Sequence, residues 1–137
     1  MRVEPYLSFE GRCEEAIEFY KKAVGAQVQM MLRFEEAPRG QGPMGAEEIS
    51  RKIMHASLRI GESTVLVSDG RCMSASNFHG TSLSLTVATD AEAEKLFAAL
   101  SEGGNVRMPM AKTFFASRFG MVNDRFGVPW LVLVGQQ

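Results

Sequence analysis

An excess of either charge is missing from this chain: 15 Lys and Arg stand against 16 Asp and Glu, for a net charge of −1. No basic run stands out, so there is no electrostatic footprint for nucleic acid. Long apolar runs are missing too. None approaches the roughly 20 residues that a membrane-spanning helix needs. The opening Met1-Arg2-Val3-Glu4-Pro5 carries no apolar signal core. Cysteine is scarce, and Cys13 and Cys72 fit free thiols in a reducing compartment. These absences lead us to expect a cytoplasmic protein with neither a nucleic-acid nor a membrane partner. What is present is ordinary for a globule: 45% of the 137 residues are apolar and 23% charged. That length suits one domain, or two small halves sharing a core. The nine methionines suit an adaptable core or a greasy ligand site.

The order of the sequence is more telling, because the chain is written twice. Glu15-Ala16-Ile17-Glu18-Phe19-Tyr20 is echoed by Glu92-Ala93-Glu94-Lys95-Leu96-Phe97. A glycine follows each, Gly25 or Gly104, and then a strand-like run, Val28-Gln29-Met30 or Val106-Arg107-Met108. Arg59-Ile60-Gly61 before Thr64-Val65-Leu66-Val67 is echoed by Arg125-Phe126-Gly127 before Trp130-Leu131-Val132-Leu133.

Hydrophobic periodicity predicts the same element order in both halves. In the first half, Val3 to Phe9 reads as a strand. Cys13 to Val24 reads as a helix with Ile17, Tyr20 and Val24 on one stripe and Gly25 as its C-terminal cap. Ala26 to Phe34, Arg51 to Ile60 and Ser63 to Ser68 read as strands, the last two joined by a tight Gly61-Glu62 turn. Residues 36–50 hold Pro38, Gly40, Gly42, Pro43 and Gly45 and read as a loop, either a lid or a plain insertion. In the second half, Thr81 to Val87 reads as a strand and Thr89 to Ser101 as a helix opened by the capping box Thr89-x-x-Glu92. Asn105 to Ala111, Ala116 to Val122 and Val128 to Val134 complete it as strands. The expectation is α+β: one domain over residues 1–137, with two tandem βαβββ modules (about 1–68 and 81–137), a connector at 69–80, and curved mixed sheets around a cleft.

Strand alternation then divides helix-facing from cleft-facing residues. Val3, Pro5, Leu7 and Phe9 should face the first helix, leaving Glu4, Tyr6 and Ser8 for the cleft. Met54, Ala56, Leu58 and Ile60 should pack, leaving His55, Ser57 and Arg59. Leu83, Leu85 and Val87 should pack, leaving Ser82, Ser84 and Thr86. Leu131 and Leu133 keep the last strand apolar on both faces. A cleft with a polar and an apolar side suits a small molecule. The same alternation also suits the solvated face of a half-buried sheet.

Five segments stand out: Tyr6-Leu7-Ser8-Phe9 with Gly11 and Cys13, Ala16-Ile17-Glu18-Phe19-Tyr20, His55-Ala56 with Arg59-Ile60, Ser68-Asp69, and Asp124-Arg125-Phe126-Gly127-Val128-Pro129-Trp130. In them the chain resembles the vicinal oxygen chelate superfamily, and within it the PhnB-like branch. The resemblance covers nearly the whole chain. Superfamily enzymes hold a divalent metal on the first and last strands of each module. Carried onto this sequence, those positions are Glu4, Ser82, Val65 and Leu131. Only Glu4 is a usual ligand there, and a metal site needs three or four N, O or S donors. The resemblance therefore implies a metal site that is absent or degraded, with Glu4 and His55 as its only weak candidates. A methyltransferase activity, a label this branch often carries, finds no Gly-rich loop between a strand and a helix to support it.

Two functions remain open. One is a cofactor-free binding module for a small, anionic or aromatic ligand, using Tyr6, Ser8, Ser57, Arg59, Ser82 and Ser84. The other is an enzyme, either acid–base or dependent on a divalent metal, of the glyoxalase or dioxygenase type and centred on Glu4 and His55. In that reading a carboxylate beside an imidazole tunes proton transfer and Arg59 receives an anion. The same three residues also suit a structural hydrogen-bonded set. A homodimer is expected, since pairing would cover exposed sheet edges. Cys13 reads as a buried thiol, His79 as a loop residue, Asp69 as a turn opener and Trp130 as core. Lys112, Phe114 and Phe115 could rim a pocket.

Overall fold

An apolar stripe draws each long helix onto its own four-stranded sheet. The computed structural model describes residues 1–37, 47–70 and 75–135. The chain forms two compact units, Met1–Ser76 and Asn77–Gln137. In the first, β1 (Tyr6–Ser8), α1 (Cys13–Val24), β2 (Gln27–Arg33), a 3-10 turn (Phe34–Glu36), α2 (Glu47–Ser50), β3 (Ile53–Ile60) and β4 (Ser63–Ser68) follow in order. In the second come β5 (Leu83–Val87), α3 (Asp90–Ser101), β6 (Asn105–Ala111), β7 (Phe119–Asn123) and β8 (Pro129–Val134). The sheet orders are β1-β4-β3-β2 and β5-β8-β7-β6. In each, the first strand runs parallel to the last and the other neighbours are antiparallel. The fold is thus α+β with two mixed sheets of one topology, as the written-out repeat requires.

The helices show why the echo is there. Ala16 and Tyr20 of α1 are buried, and so are their counterparts Ala93 and Phe97 of α3. Each large side chain of this kind adds about 1.5–3 kcal/mol by leaving water. The α1 stripe runs through Cys13, Ala16, Ile17, Tyr20 and Ala23, whereas Val24 is only half-buried. Glu14 and Glu15 in the first turn and Lys21 and Lys22 in the last complement the helix dipole. Gly25 ends α1 with φ 68, a left-handed conformation that a side chain would strain, and its N–H reaches the Tyr20 carbonyl. The left-handed glycine after α3 is Gly103, with φ 75, rather than Gly104. Thr89 caps α3 as expected, its Oγ1 accepting the Glu92 N–H at 3.2 Å. Gly120 lies on the helix side of β7, where an added Cβ would meet Met110 Sδ at 2.5 Å and Phe97 Cε2 at 2.8 Å. A bare backbone lets α3 pack close there.

The first strand departs from expectation. Pairing is confined to Tyr6–Ser8, and Val3 is 95% exposed. Pro5 is exposed as well. Proline has no N–H to extend a ladder, so β1 starts after it. Only the Pro5 carbonyl takes part, accepting Leu66 N–H at 2.9 Å. Leu7 and Phe9 do bury as expected. In β3, Ile53, Ala56 and Leu58 are buried, while Met54 and Ile60 are only half-buried. The edge strands β2 and β6 carry matching irregularities, between Val28 and Met30 and between Val106 and Met108. Bulges of this kind blunt an open edge. Of the expected loop 36–50, residues 38–46 lie outside the described residues, and its end is helical in α2. Residues 71–74 of the connector, with Cys72, also lie outside them.

Candidate functional site

Each sheet has one face under its helix and one open face, and the strand register maps the open faces. In the first unit Tyr6 pairs with Leu66, Leu66 with Ser57 and Ser57 with Met30, forming one row. One step along, Ser8 pairs with Ser68 and His55 with Leu32. In the other direction Arg59 pairs with Thr64 and Gln27. Tyr6 and His55 belong to strands separated by β4, and both reach across it. Their rings stack with centroids 5.6 Å apart at 28°, and His55 Nδ1 lies 3.5 Å from the Tyr6 hydroxyl. Tyr6 is 52% exposed and His55 half-buried, so the Tyr6 ring is the part of this pair that meets solvent.

The other expected partners do not join this pair. Glu4 forms an ion pair with Arg2 at 3.4 Å rather than meeting His55. Its side chain is 19% exposed, and Oε2 is buried without a hydrogen-bond partner. Arg59 is exposed and donates Nε–H to the Gly61 carbonyl at 3.0 Å, folding back onto the hairpin tip. Ser57 and Ser8 are half-buried on the open face. Among the described residues, no three of His, Cys, Asp and Glu gather closely enough to hold a metal ion.

In the second unit the open face is mostly apolar. Ser84 pairs with Leu131, Leu131 with Met121 and Met121 with Met108. Thr86, Leu133, Phe119 and Ala111 form the next row. Pro129, Asn123 and Asn105 form the row on the other side. Leu131 and Leu133 are half-buried and alternate with buried Trp130, Val132 and Val134. The hydroxyls of Ser84 and Thr86 are exposed on the edge strand, as is Ser82 before it. Leu83, Leu85 and Val87 alternate as expected but are only half-buried. Phe114 and Phe115 sit in the β6–β7 loop, and Phe115 contacts Phe119 edge-on at 5.1 Å.

One sequence correspondence fails. Counting on from Gly61 and Gly127 pairs Val65 with Leu131, but Val65 is buried and Leu131 is on the open face. The register with the first strand is the better guide: Leu66 pairs with Tyr6, and Leu131 with Ser84. The two hairpins differ in length, closing on Ile60 and Ser63 in one unit and on Asn123 and Pro129 in the other. The count from glycine therefore slips by one and reverses the face. Leu66, Met121 and Asn123 were missed for the same reason: their facing depends on the partner strand.

Behind the faces, buried carboxylates pin the loops. Asp69 stands between the end of β4 and the turn residue Gly70. Its Oδ1 accepts Cys13 N–H and its Oδ2 accepts Ile53 N–H, each at 2.7 Å, joining the start of α1 to the start of β3. Asp124 accepts Phe126 N–H at 2.9 Å, Val128 N–H at 3.1 Å and the Trp130 indole N–H at 2.9 Å. Cys13 is fully buried, and burial first, then the charges of Asp69 and Glu14, pushes its thiol pKa far up. It is no nucleophile in this state. His79 is an exposed loop residue whose N–H bonds Asn77.

Known proteins share this arrangement. Protein YjdN of Escherichia coli (strain K12) is 34% identical over 143 residues, covering 100% of this chain and 97% of its own length. The crystal structure of PA1353 from Pseudomonas aeruginosa is 42% identical, covers 100% of this chain and 99% of its own, and superposes with a TM-score of 0.84. The fosfomycin resistance protein FosX of Listeria monocytogenes, at 9% identity, shares the fold alone, with a TM-score of 0.65 over 99% of this chain and 93% of its own. The profile of the family described as 3-demethylubiquinone-9 3-methyltransferase matches residues 1–133. The fold that the sequence resemblance implied is thus shared, and the chain belongs to the family of that profile.

Proposed function

We propose that this protein binds a small molecule on its open sheet faces and does so without the metal site usual in the superfamily. The observation that carries this reading is the Tyr6–His55 stack. An aromatic pair whose Tyr6 is half open to solvent, with a phenol and an imidazole at its edge and Ser57 in the Tyr6 row, can stack on a flat ligand and hydrogen-bond its rim. Arg59, Ser8, Ser82 and Ser84 offer further polar contacts. The donor set argues against a metal. The corrected positions are Glu4, Leu66, Ser82 and Leu131, and leucine has no lone pair to give. A homodimer in the cytoplasm completes the reading, supported by the open edges of both sheets and by Cys13 as a free thiol.

One observation favours an enzyme instead: the buried, unpartnered Oε2 of Glu4. Such an oxygen suits a proton acceptor or a cation ligand, and His55 would have to leave Tyr6 to serve as its second group.

A single screen separates the two. The purified chain is titrated with small aromatic and anionic compounds, with and without EDTA, following the His55 ring by NMR. The binding module predicts saturable shifts that survive EDTA and disappear in His55→Ala. Stoichiometric metal in the purified chain, lost in both Glu4→Ala and His55→Ala, would overturn it in favour of the enzyme.

A further inference from the structure

We propose that Asn123 is a ligand-recognition residue and that the second unit's open face takes an uncharged, hydrogen-bond-donating aromatic molecule such as an aryl amide. The proposal rests on the small-molecule reading above but concerns different residues. The pattern of β7 places Phe119, Met121 and Asn123 on the open face, with Gly120 and Val122 buried on the other. Asn123 Oδ1 is buried and has no hydrogen-bond partner among the described residues. A buried acceptor left unsatisfied is costly and rare in a folded protein, and this one faces the same way as an apolar floor. Met121 lies two residues along the strand, about 7 Å away, and Leu131 pairs with Met121. At the far end of that row Ser84 offers an exposed hydroxyl that can donate or accept.

Charge decides the class of ligand. None of the three open-face rows of this sheet contains Lys, Arg, Asp or Glu. A carboxylate here would lose water and gain no counter-charge, and would face Asn123 Oδ1 acceptor to acceptor. An ammonium would gain one neutral acceptor for a full desolvated charge. A primary amide on a ring matches these parts: its N–H₂ meets Asn123 Oδ1 and its ring covers Met121 and Leu131, while its carbonyl turns toward solvent. This distinguishes the face from that of the first unit, which carries the Arg59 guanidinium and the His55 imidazole.

Three probes of one size test it on the full chain: benzamide, benzoate and benzylamine, followed through the Met121 methyl and the Asn123 side-chain amide by NMR. Benzamide should shift both saturably, with benzoate and benzylamine at least tenfold weaker. Asn123→Leu should weaken benzamide about tenfold, and Asn123→Asp should reverse the preference toward benzylamine, which a merely structural asparagine would not do. Equal binding of benzoate, unchanged benzamide binding in Asn123→Leu, or no benzamide shift at Met121 would overturn the proposal. So would Met121 shifts that grow with protein concentration alone, since a second copy would then cover the face. Shifts confined to Tyr6 and His55 would overturn it while leaving the broader binding reading intact.

Discussion

Trp130 donates its indole N–H to Asp124 Oδ2 at 2.9 Å, six residues back along a hairpin whose turn hangs from the other oxygen of the same carboxylate. Both residues are buried. Asp124→Ala strips partners from two backbone amides and an indole at once. Leaving buried donors unpaired costs about 1–3 kcal/mol each before relaxation, so a loss of about 3 kcal/mol or more in denaturant stability is expected. Asp124→Asn, which keeps the shape and half the acceptor capacity, should cost distinctly less. Equal losses in the two variants would mean that packing, not hydrogen bonding, holds this turn.

Asp69 plays the matching role in the first unit, with one oxygen for Cys13 N–H and one for Ile53 N–H. Arg12 provides no side-chain cap for α1, so a carboxylate distant in sequence does that work. Asp69→Ala should therefore destabilise by about 2–4 kcal/mol, beyond the usual loss of a cap, because a β3 amide is orphaned as well. Amide exchange is the measurement. Cys13 and Ile53 should lose protection together, and loss at Cys13 alone would show that the β3 tie contributes nothing.

These carboxylates also show how far the sequence could be read. The run from Asp124 to Trp130 carries part of the sequence resemblance, and the structure explains its spacing: an acceptor at the first position serves amides two and four residues on and an indole six residues on. The repeat made α1, α3 and the topology legible, since Ala16 and Tyr20 recur as Ala93 and Phe97 on buried stripes. The site was harder to read. Alternation placed Tyr6, His55 and Ser57 on one face, but which of them touch depends on β1 and β3 lying either side of β4. Glu4 was paired with His55 on that alternation alone, and the chain gives it Arg2 instead. Along β8 parity holds, with Trp130 in the core and Leu131 on the open face, whereas on β4 the hairpin's length, which sets register, puts Leu66 rather than Val65 there.

Cys13 should resist alkylation. Its thiol is pushed far above the ordinary range by burial and then by Asp69 and Glu14, so little thiolate forms near neutral pH. In a Cys72→Ser background, where Cys13 alone reports, reaction with a thiol reagent should track global unfolding and quicken sharply in mild denaturant. Adding Asp69→Ala should speed it by at least tenfold, by loosening the start of α1 and removing a negative charge. Rapid labelling of the otherwise native chain would contradict the burial of this thiol.

The Glu14–Arg33 ion pair ties α1 to the end of β2, and it is the tie whose strength should follow pH. The hydrogen bond from Arg33 holds the Glu14 carboxyl below its ordinary value of 4.5, with the Arg33 and Lys52 charges acting the same way. A depressed carboxyl stabilises the fold fully above its unfolded value, and the contribution fades as pH falls through the lower folded value. Glu14 is more than half exposed, so solvent and salt screening keep the effect below about 1 kcal/mol. Arg33 stays charged throughout and also donates to the Arg51 carbonyl at 2.5 Å, a bond with no titrating partner. Two variants should therefore behave differently. Glu14→Gln should lose only the pH-dependent part, falling short of the parent chain at pH 7 by a margin that narrows as pH falls below 4.5. Arg33→Ala should be weaker at every pH, because the Arg51 tie goes too. Melting curves from pH 7 downward, at low and high salt, check the pair; a Glu14→Gln deficit that stays the same at every pH would show that the side chain acts through packing rather than charge.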